Sequence, residues 1–102
     1  MTRVSAPPVR PGQLVTSQAG RDRGQTFVVL AVEDGHYARV ADGRLRPVAR
    51  PKRKNIRHLQ AHAAVDPGVA ACAARGGVPT DAEVREAVAT LSRGLGGGEE
   101  GL

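Results

Sequence analysis

Residues 15–32 read Val-Thr-Ser-Gln-Ala-Gly-Arg-Asp-Arg-Gly-Gln-Thr-Phe-Val-Val-Leu-Ala-Val, and the rest of the chain can be interpreted outward from them. Two apolar runs flank five residues that contain two glycines and an aspartate. Val, Thr and Phe favour the pleated strand backbone, whereas Gly and Asp favour turns. The stretch therefore predicts two strands joined by a tight loop at residues 20–24, called the Gly-Arg loop below.

The Gly-Arg loop combines an open backbone with two cations. Gly20 and Gly24 permit a positive φ or the close approach of another backbone. Arg21 and Arg23 carry planar guanidinium groups, whose paired donors match the geometry of phosphate oxygens. Our first hypothesis is that this loop lies on an RNA backbone.

The first two predicted strands cover residues 13–17 and 26–33. The second is a continuous apolar run, which predicts either burial on both faces or a strand that crosses a small barrel. Asp34-Gly35 follows directly, and Asp-Gly suits the positive φ angles of a two-residue hairpin turn. The two strands should therefore be followed by a hairpin.

A third strand is predicted at residues 36–41. Because side chains alternate between the faces of a strand, Ala38 and Val40 should point inward, whereas Tyr37 and Arg39 should share the opposite face. Asp42-Gly43 then repeats the turn signal, and this spacing favours a meander of short strands.

Two further short strands complete the predicted barrel. The fourth covers residues 44–48, where Pro47 restricts it to an edge or a strand end. The fifth covers residues 55–59, with Ile56 and His58 pairing back to close the barrel. Residues 60–65 are predicted to be a linker.

A longer set of residues gives the chain a family resemblance, which covers about half of its length. These residues are Val15, Ser17, Gly20, Arg21, Arg23, Gly24 and Phe27-Val28-Val29-Leu30, continued by Ala41-Asp42-Gly43, Leu45-Arg46-Pro47-Val48, Pro51-Lys52-Arg53-Lys54 and His58-Leu59. The first part resembles the KOW motif, a strand-loop-strand element of ribosomal proteins and transcription elongation factors. The whole set resembles small bacterial KOW-domain RNA-binding proteins, which are similar to a large-subunit ribosomal protein family. The resemblance implies an SH3-like barrel that contacts RNA.

Residues 39–57, called the basic segment below, hold eight Lys or Arg residues against Asp42 alone. So many like charges repel one another, and the arrangement favours an anionic partner. Pro51 keeps its neighbourhood extended, so the side chains should fan outward along a sugar-phosphate backbone. The alternative is a solvated charged loop. The predicted RNA-binding residues are Gly20, Arg21, Arg23, Gly24, Arg44, Arg46, Arg50, Lys52, Arg53, Lys54 and Arg57.

The last third of the chain predicts two helices. Asp66-Pro67-Gly68 is typical of a helix start, and a short helix should run to Arg75 and end at Gly76-Gly77. Thr80 and Glu83 form a capping box for a second helix. Its apolar stripe is Val84, Ala87, Val88 and Leu91, and Arg93-Gly94 should end it. The two helices should pair as a hairpin on the barrel.

Charge is unevenly distributed along the chain. Residues 1–62 carry 12 Lys or Arg and 4 Asp or Glu, a net +8, whereas residues 63–102 carry 3 and 6, a net −3. This separation implies a directed field that presents one face to a polyanion. The single cysteine fits a reducing cytoplasm, and no segment has the roughly 20 apolar residues needed to span a bilayer.

Other kinds of site are disfavoured by the sequence. His58 and His62 are four residues apart, but a third ligand is lacking, so no metal or other cofactor is expected. Cys72 has no positioned base, and no carboxylate pair lies in an apolar run, so we do not expect an enzyme. Phe27 and Tyr37 are the only aromatic residues. This scarcity favours folded RNA over stacked single strands.

Together these expectations describe a mainly β protein, a small SH3-like (KOW) barrel followed by a short C-terminal helical hairpin. Its partners would be RNA, foremost ribosomal RNA, and proteins of the large ribosomal subunit, and the free protein would be a monomer. The alternative is a KOW protein-interaction module acting on the transcription or translation machinery. The predicted divisions are a flexible arm at 1–11, the barrel at 12–62, the helical appendage at 63–94 and a disordered tail at 95–102.

Overall fold

The computed structural model consists of five antiparallel strands followed by two helices. It describes the backbone of residues 9–100 and the side chains of residues 9–95. The mainly β prediction with C-terminal helices is confirmed. The elements are β1 (Gln13–Ser17), β2 (Thr26–Glu33), β3 (Tyr37–Ala41), β4 (Lys52–Asn55), a 3-10 turn (Ile56–His58), β5 (Leu59–Val65), α1 (Pro67–Ala74) and α2 (Asp81–Glu100).

The strands lie in the order β4-β3-β2-β1-β5, so β4 and β5 are the two edges of the sheet. Only the three-residue 3-10 turn separates these edge strands in sequence, and the sheet must therefore curl to bring its edges together at that end. The edges do not pair with each other within the described residues, so the predicted closure into a barrel does not occur. The reason is local: the Asn55 side chain accepts a hydrogen bond from the Arg57 N–H at 2.9 Å, which stabilises the turn where the closing strand was expected.

The strands of the first hairpins match their predictions closely. β1 and β2 have the predicted bounds, and β3 begins one residue later than predicted. Asp34 and Gly35 both have a positive φ, 54° and 72°, as a two-residue hairpin turn of this type requires. Ala38 and Val40 are fully buried, as expected for the inward face of β3.

Two hydrophobic clusters lie on opposite faces of the sheet. The inner cluster fills the curl, and the outer cluster lies under the helices. The first half of β2 is therefore buried on both faces, which is one of the two alternatives that its apolar run predicted. Phe27 and Val29 point to the inner cluster, and Val28 between them points to the outer one. The inner cluster is Val15, Phe27, Val29, Ala38, Val40, Ile56 and Leu59; the outer is Leu14, Val28, Ala41, Val69, Val84 and Ala87.

The predictions for residues 44–48 and 60–65 are wrong. Residues 44–48 form an irregular turn, because the Asp42 carboxylate accepts hydrogen bonds from the N–H groups of Arg44 and Arg46 at 2.8 and 2.9 Å. Those donors are then engaged locally instead of pairing with a strand. Residues 60–65 belong to β5 instead of a linker, and β5 pairs antiparallel with β1.

Both helices begin where their caps predict. The Asp66 carboxylate accepts from the Val69 N–H at 2.9 Å, and α1 is followed by Gly76 with a φ of 77°. Thr80 and Glu83 form the predicted capping box through reciprocal hydrogen bonds of 2.9 and 3.1 Å. The helices contact each other, and both pack on β2.

The second helix runs beyond its predicted end. α2 continues through Gly94 to Glu100, so it includes residues 95–100 of the segment expected to be disordered; residues 101 and 102 lie outside the described residues. Gly94 does not have a positive φ. Glycine permits the left-handed conformation that ends a helix but does not require it.

Most of the predicted N-terminal arm, residues 1–8, lies outside the described residues. Its last residues contact the sheet: Val9 packs against the inner cluster, and the Arg10 N–H donates to the Gln13 side chain at 3.0 Å. Over the described residues, no helix is both long enough and apolar enough to cross a membrane.

Candidate nucleic-acid interface

The Gly-Arg loop is a tight, hydrogen-bonded turn between β1 and β2. The Gly24 N–H donates to the Ser17 carbonyl at 2.8 Å, and the Arg23 N–H donates to the Gly20 carbonyl at 3.2 Å. Gly20 and Gly24 both have positive φ angles, 78° and 87°, so glycine is needed at both positions. Both glycines are exposed, as are Arg21 and Arg23, and the loop therefore presents bare backbone and two cations together.

The one carboxylate of the loop turns away from solvent. Asp22 has a side chain that is 14% exposed, and its oxygens lie 3.3 Å from Arg46 Nη2 and 4.0 Å from Lys54 Nζ. Two cations of the basic segment thus compensate Asp22 from the inner side. The outer side of the loop carries only the positive charges of Arg21 and Arg23.

Lys54 holds the loop instead of facing a partner. It lies in β4 with 8% of its side chain exposed, and its ammonium donates to the Ala19 carbonyl at 3.1 Å. A buried ammonium is stabilised only when it is paired in this way. We therefore remove Lys54 from the residues proposed to contact RNA and assign it to positioning the loop.

Replacing Lys54 with Met is expected to lower the free energy of unfolding by about 1–2 kcal/mol. Met retains most of the apolar stem but loses the hydrogen bond to Ala19 and the charge near Asp22. The matched control is Lys52→Met in the same strand, where no side-chain hydrogen bond or ion pair is found within residues 9–95, and the change should stay within about 0.5 kcal/mol. Urea unfolding followed by circular dichroism measures both, and equal losses would contradict the role of Lys54.

Two more cations of the basic segment converge on Glu33, at the end of β2. Arg39 Nε and Arg53 Nε donate to its two carboxylate oxygens, the second at 2.9 Å. The hydrogen bond from Arg39, followed by that from Arg53, lowers the pKa of Glu33 below its ordinary value of 4.5. These pairs are partly exposed, so solvent screens them, and Glu33 remains ionised at neutral pH.

Arg53 also covers the only tyrosine. Its guanidinium carbon lies 3.8 Å from the centre of the Tyr37 ring, which is a cation-π contact. Tyr37 and Arg39 lie on the outward face of β3, as the alternation predicts. One face of the Tyr37 ring is thus already occupied by a side chain of this protein, and Phe27 is buried in the inner cluster.

The remaining predicted cations have no side-chain hydrogen bond or ion pair with any residue whose side chain the structure describes. Arg44, Arg50 and Arg57 are exposed, and Lys52 is half-buried. The 3-10 turn that carries Arg57 lies beside the start of the Gly-Arg loop, because the Gln18 N–H donates to the His58 carbonyl at 2.8 Å. The structure therefore brings the region of Arg57 close to the loop.

A cleft of about 520 Å³ joins the loop to residues that the sequence did not connect with it. Arg23 and Arg44 line it together with Arg85 of α2, which was not among the predicted site residues. Arg85 Nη1 donates to the Gly43 carbonyl at 2.9 Å. The two residues are 42 positions apart, and in the sequence Arg85 is only a polar residue beside the apolar stripe of a helix.

The histidines are separated by the fold and do not share a helix face. His58 ends the 3-10 turn, and His62 lies in β5 with its Nε2 2.7 Å from the Thr16 hydroxyl oxygen. Cys72 is a half-buried free thiol in α1. Among the residues described, no three His, Cys, Asp or Glu side chains are grouped so that they could hold a metal ion.

Comparisons with known proteins give no family to this chain: no protein-family model matches it, and no curated protein matches it. The resemblance to KOW-domain proteins therefore stays a prediction that depends on the residues quoted for it.

Proposed function

We propose that this protein binds folded RNA by electrostatic docking. The contacts come from the Gly-Arg loop and from those cations of the basic segment that have no partner among the described side chains: Arg44, Arg50, Lys52 and Arg57. The observation that supports this most directly is the orientation of charge in the loop. Asp22 is turned inward and compensated, whereas Arg21 and Arg23 are exposed beside two exposed glycines. Such a tip can approach a phosphate backbone closely and contribute bidentate donors.

Folded RNA is favoured over stretched single strands because suitable stacking surfaces are scarce. Phe27 is 1% exposed and Tyr37 has Arg53 over one face of its ring. Proteins that bind single strands without sequence preference use several exposed aromatic rings. Phosphate and shape recognition of helical RNA needs none.

The finer assignment is a KOW-type, SH3-like fold acting on ribosomal RNA in the cytoplasm, as a non-catalytic monomer when free. The predicted strand-loop-strand element corresponds to β1, the Gly-Arg loop and β2, which pair antiparallel at the middle of the sheet. The curl of the sheet, with β4 and β5 joined by a short turn, is compatible with an SH3-like barrel that stays open between its edges.

The ribosomal part of the proposal is tested by sedimentation of cell lysate through sucrose gradients at low and high salt. Phosphate contacts weaken with salt, because log affinity falls by about 0.7–0.9 per contact for each log unit of salt. Co-migration with the large subunit that is lost at high salt would support a peripheral RNA site. A protein that stays at the top of the gradient at both salt concentrations would contradict ribosome association.

RNA binding itself is tested with purified protein and a hairpin RNA. The double variant Arg21→Glu/Arg23→Glu is expected to weaken binding by at least about tenfold, since each reversal removes a phosphate contact and adds repulsion. Fluorescence anisotropy at fixed salt measures the affinity. When the measurement is repeated over a range of salt concentrations, log affinity should fall less steeply with log salt for the variant than for the unmodified protein.

The matched control is Arg75→Glu/Arg93→Glu, which gives the same net charge from exposed arginines outside the loop. Its affinity should fall much less than that of the loop variant, and thermal unfolding should show that both variants are folded. An equal loss in the two variants would mean that overall charge, and not the Gly-Arg loop, determines binding.

The second candidate function is a protein-interaction module of the transcription or translation machinery. Two large apolar side chains favour it, because Leu45 and Val78 are 74% and 67% exposed. Association through such residues would persist at moderate salt. Salt-resistant association that is removed by Leu45→Ser, together with unchanged binding of the loop variant, would favour this candidate.

A further inference from the structure

The cleft behind the Gly-Arg loop is lined by three arginines from three separate parts of the chain. Arg23 comes from the loop, Arg44 from the turn after β3, and Arg85 from the second turn of α2. Its volume of about 520 Å³ falls within the range of about 300–1,000 Å³ that small-molecule sites occupy. The cleft is open to solvent and is lined by polar residues together with Val88 and Ala89 of α2, so a charged group can enter it.

The charges and donors of the cleft fit an anion. Neither Arg23 nor Arg44 has a side-chain ion pair with the part of the chain that the structure describes, and Arg85 uses only its Nη1 in the hydrogen bond to Gly43. Asp42 is the one carboxylate in the lining. Its Oδ1 already accepts from two backbone N–H groups, and the three arginines outnumber it. Thr26 adds a hydroxyl.

The wall that carries Arg44 and Arg85 is held in place before any ligand binds. Arg85 donates to the Gly43 carbonyl, and the Asp81 carboxylate accepts from the Val48 N–H at 2.8 Å. Gly43 itself lies so close to α2 that a Cβ there would be 2.5 Å from the Asp81 carbonyl oxygen. Arg85 is therefore held in place by its hydrogen bond, and a donor that is fixed before binding lowers the entropic cost of holding an anion.

We propose that this cleft is a binding site for a phosphate group, with Arg23, Arg44 and Arg85 as its ligands. The site makes α2 part of the ligand-binding surface, whereas the sequence had connected phosphate contacts only with residues 20–57. The phosphate comes from one of two sources, a phosphodiester of RNA or a free phosphate or phosphomonoester. The RNA source depends on the function proposed above, and the site itself does not.

The site is tested by titrating inorganic phosphate into ¹⁵N-labelled protein at constant ionic strength and following amide shifts by NMR. We expect saturable shifts that are confined to the cleft, at Gly24, Gln25, Thr26 and Arg44. Arg44→Gln and Arg85→Gln should each weaken phosphate binding by about tenfold, because each removes a charge-assisted contact. Arg44→Gln is the safer variant, since its side chain makes no hydrogen bond to the residues that the structure describes.

The matched control is Arg75→Gln, an exposed arginine outside the basic segment that does not line the cleft. Its phosphate affinity should equal that of the unmodified protein. Shifts that never saturate, or that spread to the other exposed arginines and change equally in all three variants, would show only general ion screening and would overturn the site.

A hairpin RNA then separates the two sources. Weaker RNA binding by Arg44→Gln and Arg85→Gln, in proportion to their loss of phosphate binding, would assign the cleft to an RNA phosphodiester. Intact RNA binding with lost phosphate binding would support the site and assign it to a free phosphate compound. If the unmodified protein saturates with phosphate but binds no RNA, the phosphate site stands and the proposed function fails.

Discussion

Replacing Gly43 with Ala is expected to lower the free energy of unfolding by about 2–4 kcal/mol, from strain in the left-handed backbone plus overpacking. Gly43 has a φ of 77°, where a Cβ is unfavourable. That Cβ would also lie 2.5 Å from the Asp81 carbonyl oxygen and 2.7 Å from Arg85 Cγ. The first contact is with backbone, so α2 must move away to relieve it. Urea unfolding followed by far-UV circular dichroism measures the change.

The control for Gly43→Ala is Gly35→Ala. Gly35 has nearly the same φ, 72°, but a Cβ there would meet no atom within 4 Å. It should therefore show only the backbone strain, about 1–2 kcal/mol. The difference between the two variants isolates the close packing of the turn against α2. If both lose the same free energy, the turn and the helix are not held as close together as the structure has them.

The sequence predicted best those features that neighbouring residues determine. The bounds of β1 and β2, the Asp34-Gly35 turn and the Thr80 capping box all depend on contacts within a few positions, and all are found. The apolar run of β2 predicted either burial on both faces or a strand that crosses a small barrel, and burial on both faces is found for Phe27, Val28 and Val29. Local turn chemistry and alternation are sufficient for such features.

The errors lie where distant residues compete with local preference. Residues 60–65, Gln-Ala-His-Ala-Ala-Val, contain little that favours a strand, yet they pair with β1 because the curled sheet places them beside it. Residues 44–48 were expected to form a strand, but the carboxylate of Asp42 accepts hydrogen bonds from the N–H groups of Arg44 and Arg46. Tertiary context overrides propensity in both cases.

The candidate site likewise contains some features that local sequence predicts and others that depend on distant residues. The exposed Arg21 and Arg23 follow from a glycine-bounded turn that can be predicted locally. The burial of Lys54, its bond to Ala19 and the contact of Arg85 with Gly43 join positions 35 and 42 residues apart, and no spacing in the sequence indicates them. The basic segment can fold despite its dense positive charge, because Asp22 and Glu33, which lie outside it, form ion pairs with several of its cations.

The two clusters on either side of the sheet should contribute unequally to stability. The inner cluster contains the only buried aromatic ring, Phe27, which is 1% exposed and is surrounded by aliphatic side chains of a hydrogen-bonded sheet. The outer cluster is closed by helices, whose side chains can shift toward a cavity more easily than paired strands can. A cavity costs most where its walls relax least.

We therefore expect Phe27→Ala to lower the free energy of unfolding by about 3–5 kcal/mol, the largest loss for any single truncation in this chain. Domains of this size have about 5–15 kcal/mol in total, so the variant would lie close to unfolding at ordinary temperature. Phe27→Leu, which keeps most of the apolar volume, should cost about 1.5 kcal/mol or less. It provides a folded reference for the same urea titration.

Val84→Ala provides the comparison from the outer cluster. Val84 lies on the buried face of α2 and is fully buried, and loss of its two methyl carbons should cost about 2 kcal/mol. Because α2 also carries Arg85, the Val84 variant should loosen the phosphate cleft, whereas Phe27→Leu should leave phosphate binding unchanged. A larger loss of stability from Val84→Ala than from Phe27→Ala would mean that the helix-covered cluster, and not the interior of the curled sheet, supplies most of the stability.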